Sequence, residues 1–141
     1  GVIGVVIVAH GKLASEYLLA MEHIVGQTLE LGSISISPVD ILSGKEEEII
    51  DAIEKAEKGS GVIVVTDIHG STPANLALKA SVGKNCVVLF GVNLPMLIKM
   101  MSIRDKKSIK EIISISQESG RKYINVASAF FEEKKDWNKK K

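Results

Sequence analysis

The chain has 141 residues, of which 45% are apolar and 25% charged, with a formal net charge of +1. This length predicts one domain with a full core, and the small net charge gives no general attraction to nucleic acid or membranes. Cys86 is the only cysteine, which excludes an intrachain disulfide. No apolar run approaches the roughly 20 residues of a membrane span, and no signal-peptide pattern is present. We therefore expect a cytoplasmic protein.

The first predicted strand ends in a candidate functional pair. Residues 5–9 are all apolar and predict a strand buried on both faces, as in a parallel sheet between helices. His10 and Gly11 follow directly, and ligands of open α/β sheets bind beyond the carboxyl ends of the strands. We expect Gly11 to turn the chain sharply and to expose backbone N–H groups beside the imidazole.

The middle of the chain alternates between strand and helix patterns. A helix is predicted from Gly11 to Gly26, followed by residues 33–37, whose strict alternation predicts an edge strand buried on one face. Ser43 and Glu46 have the spacing of a capping box for the second helix. Residues 62–65 predict a second fully buried strand, which leads into Asp67.

The second half of the chain continues the alternation. Thr72 is predicted to cap the third helix, with a proline in its first turn. Residues 86–90 predict a third buried strand, and a fourth helix follows. Ser108 and Glu111 form a second capping box, for a helix that is expected to end at Gly120.

These elements predict an α/β fold with a doubly wound, four-stranded parallel sheet of order 2-1-3-4. The fourth strand would be an apolar, uncovered edge, and natural proteins cover such edges. We predict that residues 123–131 form an added strand there, contributed by the same chain or exchanged with a second subunit. Residues 1–131 are thus predicted to form the domain, and residues 132–141 a charged, disordered tail.

In this order the first and third strands flank the switch point, which brings His10 and Asp67 to one crevice. A histidine nucleophile needs its second ring nitrogen oriented, and a carboxylate does this in hydrolase triads. Small and hydroxyl residues at a helix N-terminus bind phosphate well. We predict phosphoryl transfer, with His10 and Asp67 as catalytic residues and a phosphate site formed by Gly11, Gly70, Ser71 and Thr72.

Other chemistries remain open from the residues alone. No Walker A pattern is present, which disfavours nucleotide binding through a P-loop. His10, Asp67 and His69 could together bind a metal, and the His-Gly pair is similar to that of cobaltochelatase-like tetrapyrrole enzymes. Metal binding is therefore the alternative from another functional class.

Three ordered motifs resemble one family: Val-Ala-His-Gly at residues 8–11, Asp-x-x-Gly-Ser-Thr-Pro-x-Asn at 67–75, and Gly-Val-Asn-Leu-Pro-Met-Leu at 91–97. Over residues 2–130 the chain resembles the IIA domain of the mannose-class sugar phosphotransferase system. The resemblance implies a phosphoryl carrier that needs no cofactor. It would accept phosphate from the carrier protein HPr on His10 and pass it to a IIB component, with membrane IIC and IID components importing the sugar.

The resemblance also implies a homodimer, in which the added C-terminal strand is antiparallel and is exchanged between subunits. No IIB domain follows in this sequence, so we expect a separate IIB chain. The family often has two glycines where this chain has Gly70 and Ser71. A more distant relative, the phosphoryl-donor subunit of dihydroxyacetone kinases, lacks the Gly-Val-Asn-Leu-Pro motif and is the second choice. An apolar surface for partner proteins is predicted after the fourth strand, at Val92, Leu94, Pro95 and Met96.

Overall fold

The structure, a computed structural model, describes residues 1–127. In this part of the chain, strands and helices follow one another in the predicted order. Their bounds are β1 (Gly4–His10), α1 (Leu13–Val25), β2 (Gly32–Ile36), α2 (Leu42–Ala56), β3 (Val62–Thr66), α3 (Thr72–Ala80), β4 (Cys86–Leu89), α4 (Leu94–Ile103) and α5 (Ile109–Lys122).

The strands form one parallel sheet of order β2-β1-β3-β4, which confirms the predicted topology. β1 lies in the middle, and its residues are buried up to Ala9, while His10 at its end is exposed. Val8 lies beside Ile34 of β2 and beside Thr66 of β3. The carboxyl ends of β1 and β3 therefore meet at one edge of the sheet.

Helices cover both faces of the sheet, because alternate residues of each central strand point to opposite sides. On one face, Ile7 and Val65 pack with residues of α1, α4 and α5. On the other face, Val8 and Val64 pack with residues of α2 and α3. This two-sided core explains why β1 and β3 are apolar without alternation.

The helix starts agree with the sequence patterns only in part. Ser108 caps α5 as predicted, since its side chain accepts a hydrogen bond from the Glu111 backbone N–H. The capping box at Ser43 is wrong, because α2 already begins at Leu42 and has no side-chain cap. The predicted cap of α3 is wrong by one residue: Ser71, not Thr72, occupies the N-cap position.

The predicted end of α5 at Gly120 is also wrong, because the helix continues to Lys122. Gly120 is buried where α5 packs on α4, and a Cβ at this position would lie 3.2 Å from the Cβ of Met96. The glycine therefore allows close packing of two helices. By contrast, Gly26 ends α1 as predicted, with φ +80° in the left-handed region.

β4 is less buried than its sequence suggests. Val87 is 39% exposed, and in residues 1–127 β4 pairs only with β3. Residues 124–126 have no regular structure, and Ile124 and Val126 are exposed. Residues 128–131 lie outside the described residues, as does the predicted tail, so the added strand and its exchange remain predictions.

None of the helices in residues 1–127 combines the length and the apolar character that crossing a membrane requires.

Candidate functional site

The centre of the site is a close contact between the ends of β1 and β3. Asp67 Oδ2 lies 2.7 Å from His10 Nδ1 and accepts a hydrogen bond from the His10 backbone N–H at 2.9 Å. The His10 side chain is 49% exposed, whereas that of Asp67 is only 11% exposed. The sequence prediction that these two residues lie side by side is confirmed.

The contact determines which nitrogen of the ring can react. An ionised carboxylate can only accept hydrogen bonds, so His10 Nδ1 is the donor in this pair. In the neutral imidazole the proton is then on Nδ1, which leaves the lone pair on Nε2. Nε2 is thereby a potential nucleophile, held in orientation by the carboxylate.

The electrostatics of Asp67 favour its charged form. Burial alone would raise the pKa of Asp67, but hydrogen bonds from the His10 backbone N–H and ring, and from the Ile68 N–H, outweigh it. The pKa of Asp67 is consequently lowered from its ordinary value. At neutral pH the residue is a carboxylate, as an orienting partner for an imidazole must be.

Gly11 has the predicted geometry but not the predicted function. Its φ of +53° lies in the left-handed region and turns the chain from β1 towards α1. Its backbone N–H, however, donates to the carbonyl of Ile36 at 2.8 Å. The prediction that Gly11 offers this N–H to a phosphate is therefore not supported.

The loop after β3 places Gly70, Ser71 and Thr72 at the start of α3. Gly70 has φ +84° and permits the turn, so the glycine is required by the backbone. The Ser71 hydroxyl donates to the Ile68 carbonyl at 2.6 Å and accepts from the Ala74 backbone N–H at 3.4 Å. Because both contacts stabilise the loop and the helix, the Ser71 side chain has a structural role.

A cleft of about 440 Å³ opens beside His10. Its lining comes from the end of β1, the β2–α2 loop and the first residue of α3: His10, Ile36, Ser37, Pro38, Asp40, Leu42 and Thr72. Thr72 is exposed and is the residue of the predicted phosphate loop that lines this cleft. The sequence patterns did not predict that the β2–α2 loop lines this cleft. The rule that ligands bind beyond the strand ends applies to β2 as well, and could have identified it.

His69 lies in the same loop as Asp67 but makes a different contact. Its ring stacks on Phe90, with centroids 4.4 Å apart and planes at 16°. Among residues 1–127, no group of three His, Cys, Asp or Glu side chains has an arrangement that could hold a metal ion. The alternative that His10, Asp67 and His69 together bind a metal therefore has no support in this geometry.

The predicted partner surface after β4 is largely buried. Val92 and Met96 are 8% and 5% exposed and belong to the core, so they are wrong candidates for a surface contact. Leu94 and Pro95 are half-buried and line a separate pocket between α1, α4 and α5. The apolar residues of this motif therefore serve mainly to pack α4.

Asn93 is a further structural residue that the sequence analysis did not identify. Its Oδ1 accepts from the Met96 backbone N–H at 3.0 Å and caps α4, while its Nδ2 donates to the Gly120 carbonyl at 2.9 Å. Just before it, the N–H groups of Gly91 and Val92 donate to the carbonyls of Asp67 and Thr66. Asn93 thus fixes the loop next to the site. An asparagine directly before Leu-Pro is typical of a helix N-cap, so the sequence could have predicted this role.

Residues 4–117 match the family EIIA-man, which is described as the PTS system fructose IIA component. PTS stands for the sugar phosphotransferase system. The chain belongs to this family. It is a IIA component of the mannose class, which confirms the family that its sequence motifs predicted. This match favours a PTS component over the donor subunit of a dihydroxyacetone kinase.

Individual relatives of this IIA component agree with the family. It is 30% identical over 129 residues to the PTS system mannose-specific EIIAB component of Escherichia coli K12, covering 90% of this chain and 40% of that relative's length. It is 23% identical over 137 residues to the PTS system fructose-specific EIIA component of Bacillus subtilis, covering 96% of this chain and 94% of that protein.

The fold of this IIA component also has a solved counterpart. The mannose/sorbose specific IIA subunit of the phosphotransferase system from Enterococcus faecalis superposes with a TM-score of 0.79 at 24% identity. The similarity covers 89% of this chain and 95% of that subunit. At an identity of 24%, this similarity shows that the two proteins share a fold.

Proposed function

We propose that this IIA component is a phosphoryl carrier that accepts phosphate from phospho-HPr on His10 and passes it to a IIB component during sugar uptake. The observation that carries the proposal is the His10–Asp67 pair, in which a half-exposed imidazole is oriented by a carboxylate at 2.7 Å. Membership of the EIIA-man family supports the same reaction.

The chemistry requires few groups. The Nε2 lone pair of His10 attacks the phosphorus of the donor's phosphohistidine and forms a new N–P bond, while the N–P bond to the donor breaks. The electron pair of that bond returns to the donor imidazole. The positive charge that develops on the His10 ring is balanced by Asp67, whose carboxylate keeps its hydrogen bond to Nδ1–H. Transfer to IIB repeats these steps in reverse, with His10 as donor.

The phosphoryl oxygens need neutral or positive groups around them. We propose that the hydroxyl and the backbone N–H of Thr72, at the start of α3, supply such groups, because Thr72 lines the cleft beside His10. Gly70 shapes this loop through its positive φ, and Ser71 caps the helix. In the proposed phosphate site Thr72 therefore contacts the phosphate, while Gly70 and Ser71 support the loop.

The domain bounds, the assembly and the partners belong to the same proposal. We infer that residues 1–131 form the phosphotransferase domain and that residues 132–141, with five lysines and three acidic residues, are a charged tail outside it. Within residues 1–127 no strand pairs with the outer edge of β4, which supports a homodimer in which residues 123–131 of one subunit add a strand to the other. HPr and IIB are the proposed direct partners, and the membrane IIC and IID components are indirect ones. The cytoplasm is the proposed location of this chain.

The proposed carrier function is tested by labelling the chain with phosphoenolpyruvate, the upstream kinase and HPr. His10→Ala should abolish incorporation, whereas His23→Ala, at an exposed histidine of α1, should retain it. Label that persists on the His10→Ala protein would refute the assignment. The His69→Ala protein should also be labelled, and a chelator should not prevent labelling. A metal enzyme, by contrast, would lose activity in the His69→Ala variant and in the presence of a chelator.

A further inference from the structure

The side chain of Asn93 joins the ends of two helices. Its Oδ1 accepts from the Met96 backbone N–H at 3.0 Å, at the start of α4. Its Nδ2 donates to the carbonyl of Gly120 at 2.9 Å, and Gly120 lies in the last turn of α5. The first N–H groups and the last carbonyls of a helix have no partner within it. A single side chain therefore completes both helices and anchors the loop after β4 on α5.

The loop after β4 is also bonded to the residues that lead from β3 into the site. Gly91, with φ +79°, turns the chain, and its N–H donates to the Asp67 carbonyl at 3.2 Å. The Val92 N–H donates to the Thr66 carbonyl at 3.1 Å. Both bonds lie beyond the paired residues of β3 and β4, so they extend the contact past the end of the sheet. Asn93 directly follows these two donors in the chain.

Asp67 is consequently held from two sides. Its carboxylate accepts from the backbone and lies against the ring of His10 on the β1 side, while its carbonyl accepts from Gly91 on the β4 side. Hydrogen bonds weaken steeply when their geometry is disturbed, and the ring contact is only 2.7 Å long. A shift of the loop after β4 would therefore move the carboxylate relative to the imidazole.

We propose that Asn93 is a positioning residue for phosphoryl transfer, which keeps Asp67 aligned with His10 by anchoring the loop after β4. For the transfer rate this inference rests on the proposed function, whereas the orientation of the ring can be measured without it. Asn93 lies outside the lining of the cleft beside His10, so it acts through Asp67 and not on the phosphate. The stack of His69 on Phe90 joins the same two loops, so loss of the anchor should weaken the alignment without abolishing it.

The proposal is tested with Asn93→Ser in the full chain. Serine caps helices about as well as asparagine, so the start of α4 should be retained, while the donor to the Gly120 carbonyl is lost. We expect the single-turnover rate of labelling at saturating phospho-HPr to fall by about tenfold, since a misplacement of about 1 Å can cost about a hundredfold. The concentration of phospho-HPr that gives half of this rate should change by less than about twofold, because Asn93 acts on the chemical step.

NMR of the nitrogen atoms of the His10 ring measures the alignment without a donor protein. In the neutral ring of the unsubstituted chain we expect the proton on Nδ1, facing Asp67. In Asn93→Ser the ratio of the Nδ1–H form to the Nε2–H form should fall by about threefold or more, as for partial loss of one hydrogen bond. Asn93→Asp also retains a cap and lacks the Nδ2 donor, so it should show the same change.

The matched control is Ser108→Ala, which removes the cap at the start of α5. This substitution should destabilise the protein, as loss of a cap does. It leaves the Asn93 side chain and the last turn of α5 unchanged, so both the labelling rate and the ratio of ring forms should be retained. Urea unfolding of each protein separates a loss of stability from a loss of alignment.

Two results would overturn the positioning role while leaving the carrier function intact, provided that phospho-HPr labels His10 in the unsubstituted chain. The first is an unchanged ratio of ring forms in folded Asn93→Ser and Asn93→Asp, whatever their labelling rates, which would leave Asn93 as a helix cap. The second is an equal change of this ratio in Ser108→Ala, which would make it a general result of lower stability. By contrast, absence of label on His10 in the unsubstituted chain would refute the carrier function, and the ratio of ring forms would still test whether Asn93 positions Asp67.

Discussion

One oxygen of Asp67 contacts two nitrogens of His10. Oδ2 accepts from the backbone N–H at the end of β1 at 2.9 Å and lies 2.7 Å from ring Nδ1. The second oxygen, Oδ1, accepts from the Ile68 N–H at 2.9 Å. The carboxylate therefore joins two strand ends and orients the imidazole at the same time.

Asp67→Asn should slow phosphoryl transfer while the fold is retained. An amide can replace the carboxylate sterically, but it does not stabilise an imidazolium and can favour the wrong tautomer of His10. By analogy with loss of the triad carboxylate, the rate should fall by about two to four orders of magnitude. Single-turnover labelling by phospho-HPr measures this rate. An unchanged rate in a folded Asp67→Asn protein would mean that another group orients the ring.

The same residue predicts how stability depends on pH. The pKa of Asp67 is lower in the folded state than in the unfolded state, where it is about 3.9. The contribution of Asp67 to the free energy of unfolding is therefore complete above the unfolded pKa and is lost as the pH falls through the folded pKa. The free energy of unfolding should therefore decrease below about pH 4. Asp67→Asn should lose less stability between pH 6 and pH 3 than the unsubstituted chain, as measured by urea unfolding. Equal losses would show that this carboxyl group does not contribute.

Glu57 is a second acid-sensitive group, and it lies between α2 and the start of β3. The pKa of Glu57 is lowered by hydrogen bonds from the backbone N–H groups of Gly61 and Gly59. The Asp67→Asn protein should consequently keep some loss of stability in acid. Combining it with Glu57→Gln should reduce that remaining loss further.

The cap assignment predicts different effects for two substitutions of Ser71. Ser71→Ala removes the acceptor for the Ala74 N–H and should lower the free energy of unfolding by about 1 kcal/mol, whereas Ser71→Gly should cost only a few tenths. Ser43→Ala is the matched control and should have little effect, because Ser43 lies inside α2 and does not cap it. Denaturant unfolding of the three variants tests this order. A larger cost for Ser43→Ala than for Ser71→Ala would contradict it.

Two helical glycines should respond to alanine in opposite ways. Gly44, in the first turn of α2, has no atom near the position of a Cβ, so Gly44→Ala should stabilise the protein by up to about 1 kcal/mol. At Gly120 an added Cβ would lie 3.2 Å from Met96 Cβ, an atom fixed by its own backbone, so Gly120→Ala should destabilise. Thermal unfolding measures both changes. Stabilisation by Gly120→Ala would show that α4 and α5 can separate without cost.

The sheet and its central residues could be predicted because their sequence signals are local and redundant. Residues 5–9 and 62–65 are apolar without interruption, which only burial on both faces explains. Once the strand order was predicted, the parallel arrangement placed His10 and Asp67 at the same edge. The confirmed contact between residues 57 positions apart thus followed from topology.

The details that the sequence did not reveal depend on tertiary contacts. Ser43 and Ser108 have the same capping-box spacing, but only Ser108 lies at a helix start, because the chain enters α2 one residue before Ser43. The N–H of Gly11 looks available in sequence, yet it bonds to Ile36 of a neighbouring strand. Met96 looks like a surface residue after a loop, but α5 covers it. Such outcomes depend on which elements become neighbours in space.

The two contacts of Asp67 with His10 have a consequence for the entropy of the proposed reaction. The ring loses its rotational freedom when β1 and β3 pair, so folding has already met the cost of orienting the nucleophile. An incoming phosphoryl group then finds Nε2 aligned, and the encounter with a partner need only position that group. In the proposed reaction, phosphate would therefore pass in both directions without a prior rearrangement of the imidazole.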